Sequence, residues 1–341
     1  MSTAPQSNEN AKFFEVRLGS LRVAKPLPYD LYLLISGAPV LFRKKGDQIS
    51  FDRYKQLRDH GGATLLVPDD QRALYLESLK TAVRDPDSKI EERSTLIKET
   101  AYIHIHDLFT KKDIQPVITE ARSLVDDMVS FVSTDVAAVS SLMRLSAHDY
   151  YTYNHSVDVA VYSIVLAKKL YGSDNRELLI QAGMGGLLHD IGKRRIDLAI
   201  LNKTGSLTAA EWAEIKNHPN YGLEALKDVS SVPEETKKIV CQHHENFDGT
   251  GYPNGLAGED ISKLARVVAI ADVFDALTTK RSYHDAISPS QALDIMHGMQ
   301  PGKFDPKLFL SFDQKFVTKP NVTLSEEFDA CAPQQQKLVK K

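Results

Sequence analysis

The sequence predicts a mainly α protein, with a small α+β segment over residues 1–83 followed by an all-α domain over 113–316. Three observations lead there. Short apolar or alternating runs, broken by Pro and Gly, crowd the N-terminal segment. From about residue 98 onward apolar residues recur at helical spacing. Between 113 and 312 no strand alternation is visible.

Composition bounds the answer. The chain has 341 residues, enough for two ordinary domains, and is 42% hydrophobic and 26% charged, as soluble globular proteins are. A net charge of −3 argues against a nucleic-acid polymer as partner and against a membrane-surface protein held by charge alone. No stretch approaches ~20 apolar residues, so no membrane span is expected. Two cysteines, Cys241 and Cys331, make no disulfide framework and suit a reducing compartment. The N-terminus lacks a basic segment followed by an apolar run, so no signal peptide is expected and the expected location is cytoplasmic.

The elements follow in order. Residues 1–11 are polar, the composition of a disordered start. FFEVRL (13–18), YDLYLLI (30–36), PVLFR (39–43) and ATLLV (63–67) read as strands. FDRYKQLRDHG (51–61) reads as a helix stopped by Gly61, and DDQRALYLESLKTAV (69–83) as a helix capped by an Asp. Charged residues 84–97 read as a linker or the start of a connecting helix, and the linker is assigned to 84–112. Helical periodicity then covers 117–132, 157–170, 177–188 and 262–279. Thr208-Ala-Ala-Glu211 is a capping box, with Leu207 and Trp212 placed as a hydrophobic staple. The segment 317–341 reads as a mobile tail.

The candidate chemistry lies in histidines and aspartates. Of eleven histidines, five stand in a particular setting: His155, His189, His218 and the adjacent His243 and His244. Asp190 follows His189, and Asp272 lies inside the last strong helix. Imidazole and carboxylate suit iron, manganese and zinc, and a dimetal site draws such groups from several helices. Taken singly, His155 and His218 read better as satisfied polar residues than as ligands. Asp272 is harder to dismiss, because its neighbours VVAIADVFDAL are apolar nearly all round. A buried carboxylate is costly unless paired, hydrogen-bonded or on a metal. Adjacent residues on a helix point ~100° apart, so His243 and His244 can face one cavity only near a helix end or where helices converge. The loop they open, HHENFDGTGYPNGLAGED (243–260), holds four Gly and one Pro, too turn-rich for a helix, and carries Glu245, Asp248 and Tyr252. His60, His104, His106, His148 and His297 have no such context.

Four motifs now stand in sequence: His189-Asp190-Ile-Gly-Lys193, His218-Pro-Asn-Tyr-Gly222, His243-His244-Glu-Asn-Phe-Asp-Gly-Thr-Gly-Tyr-Pro253 and Ala271-Asp272-Val-Phe-Asp275. Together, over about residues 150–309, they resemble the HD-GYP family, bacterial phosphodiesterases of cyclic dinucleotides, chiefly cyclic di-GMP. The resemblance implies an all-α HD-type helical catalytic domain, with the N-terminal segment as an accessory domain that regulates or dimerises. It implies two divalent metal ions, iron or manganese first and zinc also suited. His155, His189, Asp190 and Asp272 would hold one metal, and Asp190 would bridge to a second held by His218, His243 and His244. It gives catalytic roles to Asp190 and Lys193, with Lys193 on the substrate phosphate. Tyr252, Asp275 and Arg281 would stand at the substrate, Asp275 either accepting from a guanine edge or ordering the site. His284 occupies a position where the family often has Lys or Arg. Some members place a Glu one turn before the first His and hold a third metal; Tyr151 stands there, so a binuclear site is expected, with Asp149 or Asp158 as the acids that could replace it. The implied activity is hydrolysis of cyclic di-GMP to linear pGpG and on to GMP. A hybrid cyclic GMP–AMP substrate, a di-iron oxygenase and a non-catalytic dinucleotide-binding module are the alternatives. A homodimer and signalling partners at the GYP loop are the further partners it admits.

Overall fold

The computed structural model describes residues 12–59, 64–134, 136–144, 154–279, 287–300 and 302–317. They divide into two compact units between Thr100 and Ala101. Among the described residues no helix is long and apolar enough to cross a membrane. The expectations for 1–11 and 318–341 lie outside the described residues.

In the first unit β1 (Phe13–Val16), β2 (Leu31–Ile35), β3 (Ala38–Arg43) and β4 (Leu65–Pro68) form one antiparallel sheet in the order β1-β4-β2-β3. Every residue of β4 is buried, which is why its sequence, LLVP, is apolar without alternation. Helices α1 (Phe51–Asp59) and α2 (Arg72–Arg84) complete the pattern read from the sequence. On α2 the buried residues are Tyr75, Leu79, Ala82 and Val83, one stripe at helical spacing. Tyr75 meets the rings of Tyr29 and Phe14 edge-on at 5.2 and 5.5 Å. The segment assigned as linker, 84–112, is largely helix: α3 spans Ile90–Thr110. Its charged start concealed a helical pattern, since Leu96, Ile97, Ala101, Ile105 and Leu108 are all buried.

The second unit is helical, and its described residues contain no strand. It comprises α4 (Gln115–Thr134), α5 (Val136–Arg144), α6 (Asn154–Tyr171), α7 (Arg176–Leu188), α8 (Leu198–Leu201), α9 (Ala209–Lys216), α10 (His218–Leu226), α11 (Glu234–Gln242), α12 (Lys263–Thr278), α13 (Pro289–Gly298) and α14 (Pro306–Val317). The hub is α7. A Cβ on its Gly186 would come within 2.7 Å of the Ala160 Cα on α6, so only glycine lets these two backbones touch. Val125 of α4 and Ile239 of α11 close on the same helix at Gly183 and Gly185. The C-terminal end of α7, where His189 and Asp190 follow, is thereby held among the surrounding helices.

A second close approach sets the next motif. A Cβ on Gly192 would fall on the His218 carbonyl oxygen and 2.5 Å from the Gly222 nitrogen. The tight turn Ile191–Arg195 therefore lies directly against α10, which brings His218 beside Asp190. Helix α12 is buried almost all round, as its composition requires, and Phe274 on it joins Tyr162 of α6 and Phe312 of α14 at 5.1 and 5.0 Å. The Thr208–Glu211 capping box opens α9, and a second box, Ser288 with Gln291, opens α13. Arg266 of α12 donates to Asp305 at 2.6 Å, and Asp305 also accepts from the backbone N–H groups of Lys307 and Leu308 at the head of α14.

Candidate metal centre

Helix ends converge on one point. His155 stands at the start of α6, His189 and Asp190 at the end of α7, His218 at the start of α10, and His243 and His244 at the end of α11. Asp272 reaches in from the middle of α12. The adjacent His243 and His244 face the same cavity because α11 ends at Gln242, the circumstance that helical geometry demands. Asp190, His218, His243 and His244 offer ligand atoms that lie within 4.8 Å of one another, and so do His155, His189 and Asp190. Asp190 belongs to both groups. Its Oδ1 is 3.3 Å from Nε2 of His218 and its Oδ2 is 3.2 Å from Nε2 of His189. Asp272 joins through Oδ1, 3.1 Å from Nε2 of His155 and 3.9 Å from Nε2 of His189, with Oδ2 4.0 Å from Nδ1 of His244.

The hydrogen bonding shows that these residues fit a cation. Nδ1 of His189, His218 and His243 meets the backbone carbonyls of Gly186, Ile215 and Val240 at 2.7, 2.8 and 2.9 Å. A carbonyl only accepts, so each Nδ1 carries the proton and each Nε2 turns a lone pair inward. Nε2 of His218 and Nε2 of His243 then face each other at 3.2 Å with no proton between them. Among the described residues, buried Nε2 of His189 and Oδ1 of Asp190 have no hydrogen-bond partner. Lone pairs collected in this way are what a divalent metal satisfies.

The electrostatics agree. Burial pushes His218 below the usual imidazole range, and burial together with the neighbouring imidazoles pushes His243 well below it. Burial takes His244 down to about 3. These rings are neutral near pH 7, the ligand form. Burial opposes ionisation of Asp190, but Lys193 and His189 overcome it and hold the carboxyl well below the usual carboxylate range. Asp272 is held down likewise against burial, chiefly by its hydrogen bond with His155. Burial alone would lower His155 too, but Asp272 and Asp275 lift it to about 10, so a cation bound there displaces a proton.

Residues 140–308 match the family model of the HD domain. That stretch of the chain is an HD domain. Over 192 residues it is 43% identical to cyclic di-GMP phosphodiesterase PA4108 of Pseudomonas aeruginosa, an alignment covering 56% of this chain and 46% of that protein. Over 177 residues it is 37% identical to 3'3'-cGAMP-specific phosphodiesterase 3 of Vibrio cholerae, covering 52% and 38%. The chain thus spans less than half the length of these curated relatives. Among solved structures it shares its fold with Bd1817, a HDG"Y"P protein from Bdellovibrio bacteriovorus, at TM-score 0.68 and 23% identity, covering 89% of this chain and 99% of that one.

Around the seven candidate ligands, the HD domain arranges the other expected residues in different ways. Lys193 donates to Oδ2 of Asp190 at 2.6 Å. Tyr252 lies against His244, ring centroids 4.8 Å apart and planes 32° from parallel. Asp275 lies against His155. It is 1% exposed, its Oδ2 is 2.7 Å from Nδ1 of His155, and its Oδ1 accepts from the Thr279 hydroxyl at 3.0 Å. Both of its oxygens are thus engaged inside the protein. Arg281, His284, Tyr151 and Asp149 lie outside the described residues; Asp158 is buried on α6.

The Gly-rich loop is organised by its own acids. Glu245, 3% exposed, accepts from the backbone N–H of Asn254 at 2.7 Å and of Leu256 at 3.1 Å. Asp248 accepts from the Thr250 N–H at 2.9 Å and hydroxyl at 2.7 Å. Next to this loop opens a cavity of about 420 Å³ shared by His244, Tyr252, Asn246, Trp212, Lys216 and Lys303. Lys216 and Lys303 belong to no motif. Trp212, the staple residue of α9, is 48% exposed, and its spacing of four from Lys216 is the one sequence signal of a shared face.

Proposed function

We propose that this HD domain is a metal-dependent phosphodiesterase that opens cyclic di-GMP to linear pGpG and carries it on to GMP. The observation that carries this reading is the pair of ligand groups, six residues in all, that share Asp190, with Asp272 3.1 Å from His155 as the seventh. His155, His189, Asp190 and Asp272 would hold one divalent cation, and His218, His243 and His244, with Asp190 again, would hold a second. Iron or manganese suits this mixed imidazole and carboxylate set first, and zinc also fits. When bound, the cations supply an acidified water and neutralise phosphoryl charge. Lys193 stands beside Asp190 and adds positive charge where negative charge builds up on the phosphoryl oxygens. Tyr252 offers a flat face next to His244 against which a purine can lie. The N-terminal unit is accessory to this chemistry, and the setting is the cytoplasm.

The resemblance to relatives named cyclic di-GMP phosphodiesterase supports the base, and the similar relatives named 3'3'-cGAMP-specific favour a second reading, the hybrid cyclic GMP–AMP. Turnover of purified protein, loaded with iron or manganese under anaerobic conditions, separates them. The expected result is pGpG from cyclic di-GMP, at a higher kcat/KM than for the hybrid. Fully loaded protein that leaves both dinucleotides intact overturns the proposal.

A further inference from the structure

The cavity beside His244 brings two lysines together. Lys216 lies four residues from Trp212 on α9, so both line it from one helix face. Lys303 comes from the turn before α14, whose backbone is tied to the Gly-rich loop: the N–H groups of Phe247 and Asp248 donate to the carbonyls of Lys303 and Gly302 at 3.1 and 2.8 Å. Elsewhere in this unit Lys193, Lys203 and Lys237 each sit 2.6–2.7 Å from a carboxylate. Among the described residues neither Lys216 nor Lys303 has such an ion pair; the side-chain hydrogen bond of Lys303 runs to Oδ1 of Asn246 at 3.4 Å. Burial lowers the Lys303 ammonium from its usual range, the mark of a cation drawn partly out of water.

Asp272 and Asp248 attract Lys303 without forming an ion pair with it, and among the described residues no acid lines the cavity, so the two cations there favour an anion between them. Beside them Trp212, 48% exposed overall, lines the cavity and offers an aromatic face for a base to stack on. The volume, about 420 Å³, is that of a small-ligand site. His244 belongs both to this cavity and to the candidate metal cluster, so a ligand held at one reaches the other. We propose that this cavity receives the half of the cyclic dinucleotide that is not being cut, its base on Trp212 and its phosphate between Lys216 and Lys303. The proposal rests on the phosphodiesterase reading above and adds three recognition residues to it.

Trp212 is the only tryptophan of the chain, so its emission reports this cavity directly. Titrating the metal-loaded protein with a phosphorothioate analogue of cyclic di-GMP should quench that emission saturably. In Lys216→Gln/Lys303→Gln the Kd should rise roughly tenfold or more, and Lys216→Arg/Lys303→Arg should recover most of the loss. Trp212→Ala should raise KM for cyclic di-GMP more than it lowers kcat. Metal content and the circular dichroism spectrum identify any variant that has failed to fold, and the arginine pair then carries the test. An analogue that inhibits turnover competitively yet leaves the emission and its lysine dependence unchanged overturns the subsite while the phosphodiesterase reading stands. An analogue that neither quenches nor inhibits, with no turnover of cyclic di-GMP by the wild-type protein, removes that reading and the subsite with it.

Discussion

Asp275 holds His155 from behind: Oδ2 of the one lies 2.7 Å from Nδ1 of the other, while Nε2 of the same ring points to Asp272 at 3.1 Å. A carboxylate on the far nitrogen fixes the ring's orientation and raises its basicity as a ligand. Replacing Asp275 by Ala should therefore weaken metal binding by roughly 10- to 100-fold, measured by chelator competition. If Asp275 served only the substrate, metal affinity would stay at the wild-type value and KM alone would rise.

Asp190 is common to both ligand groups, whereas His244 belongs to one. Metal analysis of Asp190→Ala should find both cations lost, and His244→Ala should lose one in preference to the other. Equal loss in the two variants would show that Asp190 has no shared position.

Lys193 sits 2.6 Å from Oδ2 of Asp190 and is a third exposed, placed between the cluster and solvent. Lys193→Ala should keep its metal and lose roughly 10²-fold in kcat, the scale of removing one charge-stabilising donor. Unchanged turnover would reduce this lysine to a structural partner of Asp190.

Arg266 and Asp305 form an ion pair at 2.6 Å with both side chains 10% exposed. Removing one member of such a pair leaves a buried charge without compensation. Asp305→Ala should cost roughly 3–5 kcal/mol in urea denaturation and also release the first turn of α14. The paired change Arg266→Met/Asp305→Leu should recover part of that loss; no difference between single and double variants would argue against the pair.

In the first unit burial pushes Glu99 up to about 7, with Arg17 at 3.7 Å only partly opposing it. An unfolded Glu loses its proton near 4.5, so between 4.5 and 7 the folded chain holds a proton that the unfolded chain has released. Stability from this group is therefore present below pH 4.5 and falls as pH rises to 7, by an amount on the order of 3 kcal/mol. Urea midpoints of Glu99→Gln should be flatter across this window and higher at pH 8 than those of the wild type. A wild-type midpoint that climbs from pH 5 to 7 and is unaltered by the substitution would contradict this.

What the sequence by itself determined was local or periodic. Four helices of the second unit, α4, α6, α7 and α12, follow from apolar spacing, the start of α9 from Thr208 and Glu211, and the ligand types from His and Asp lying in motifs. These depend on residues within a few turns of one another, where geometry is set by the helix. What only the tertiary structure decided was which distant groups face each other. Asp275 and His155 are 120 residues apart, and their contact exists because α12 packs on α6. Trp212, Lys216 and Lys303 have no shared pattern in the chain, and they meet because α9 and the turn before α14 close on the same loop. Even α3 was obscured, since charges at its start mask buried residues that become a core face only once other elements cover them. Periodicity records where each side chain points on its own element; the partner it points at is chosen by packing, because burial and close approach, such as Gly192 against α10, are properties of two segments together.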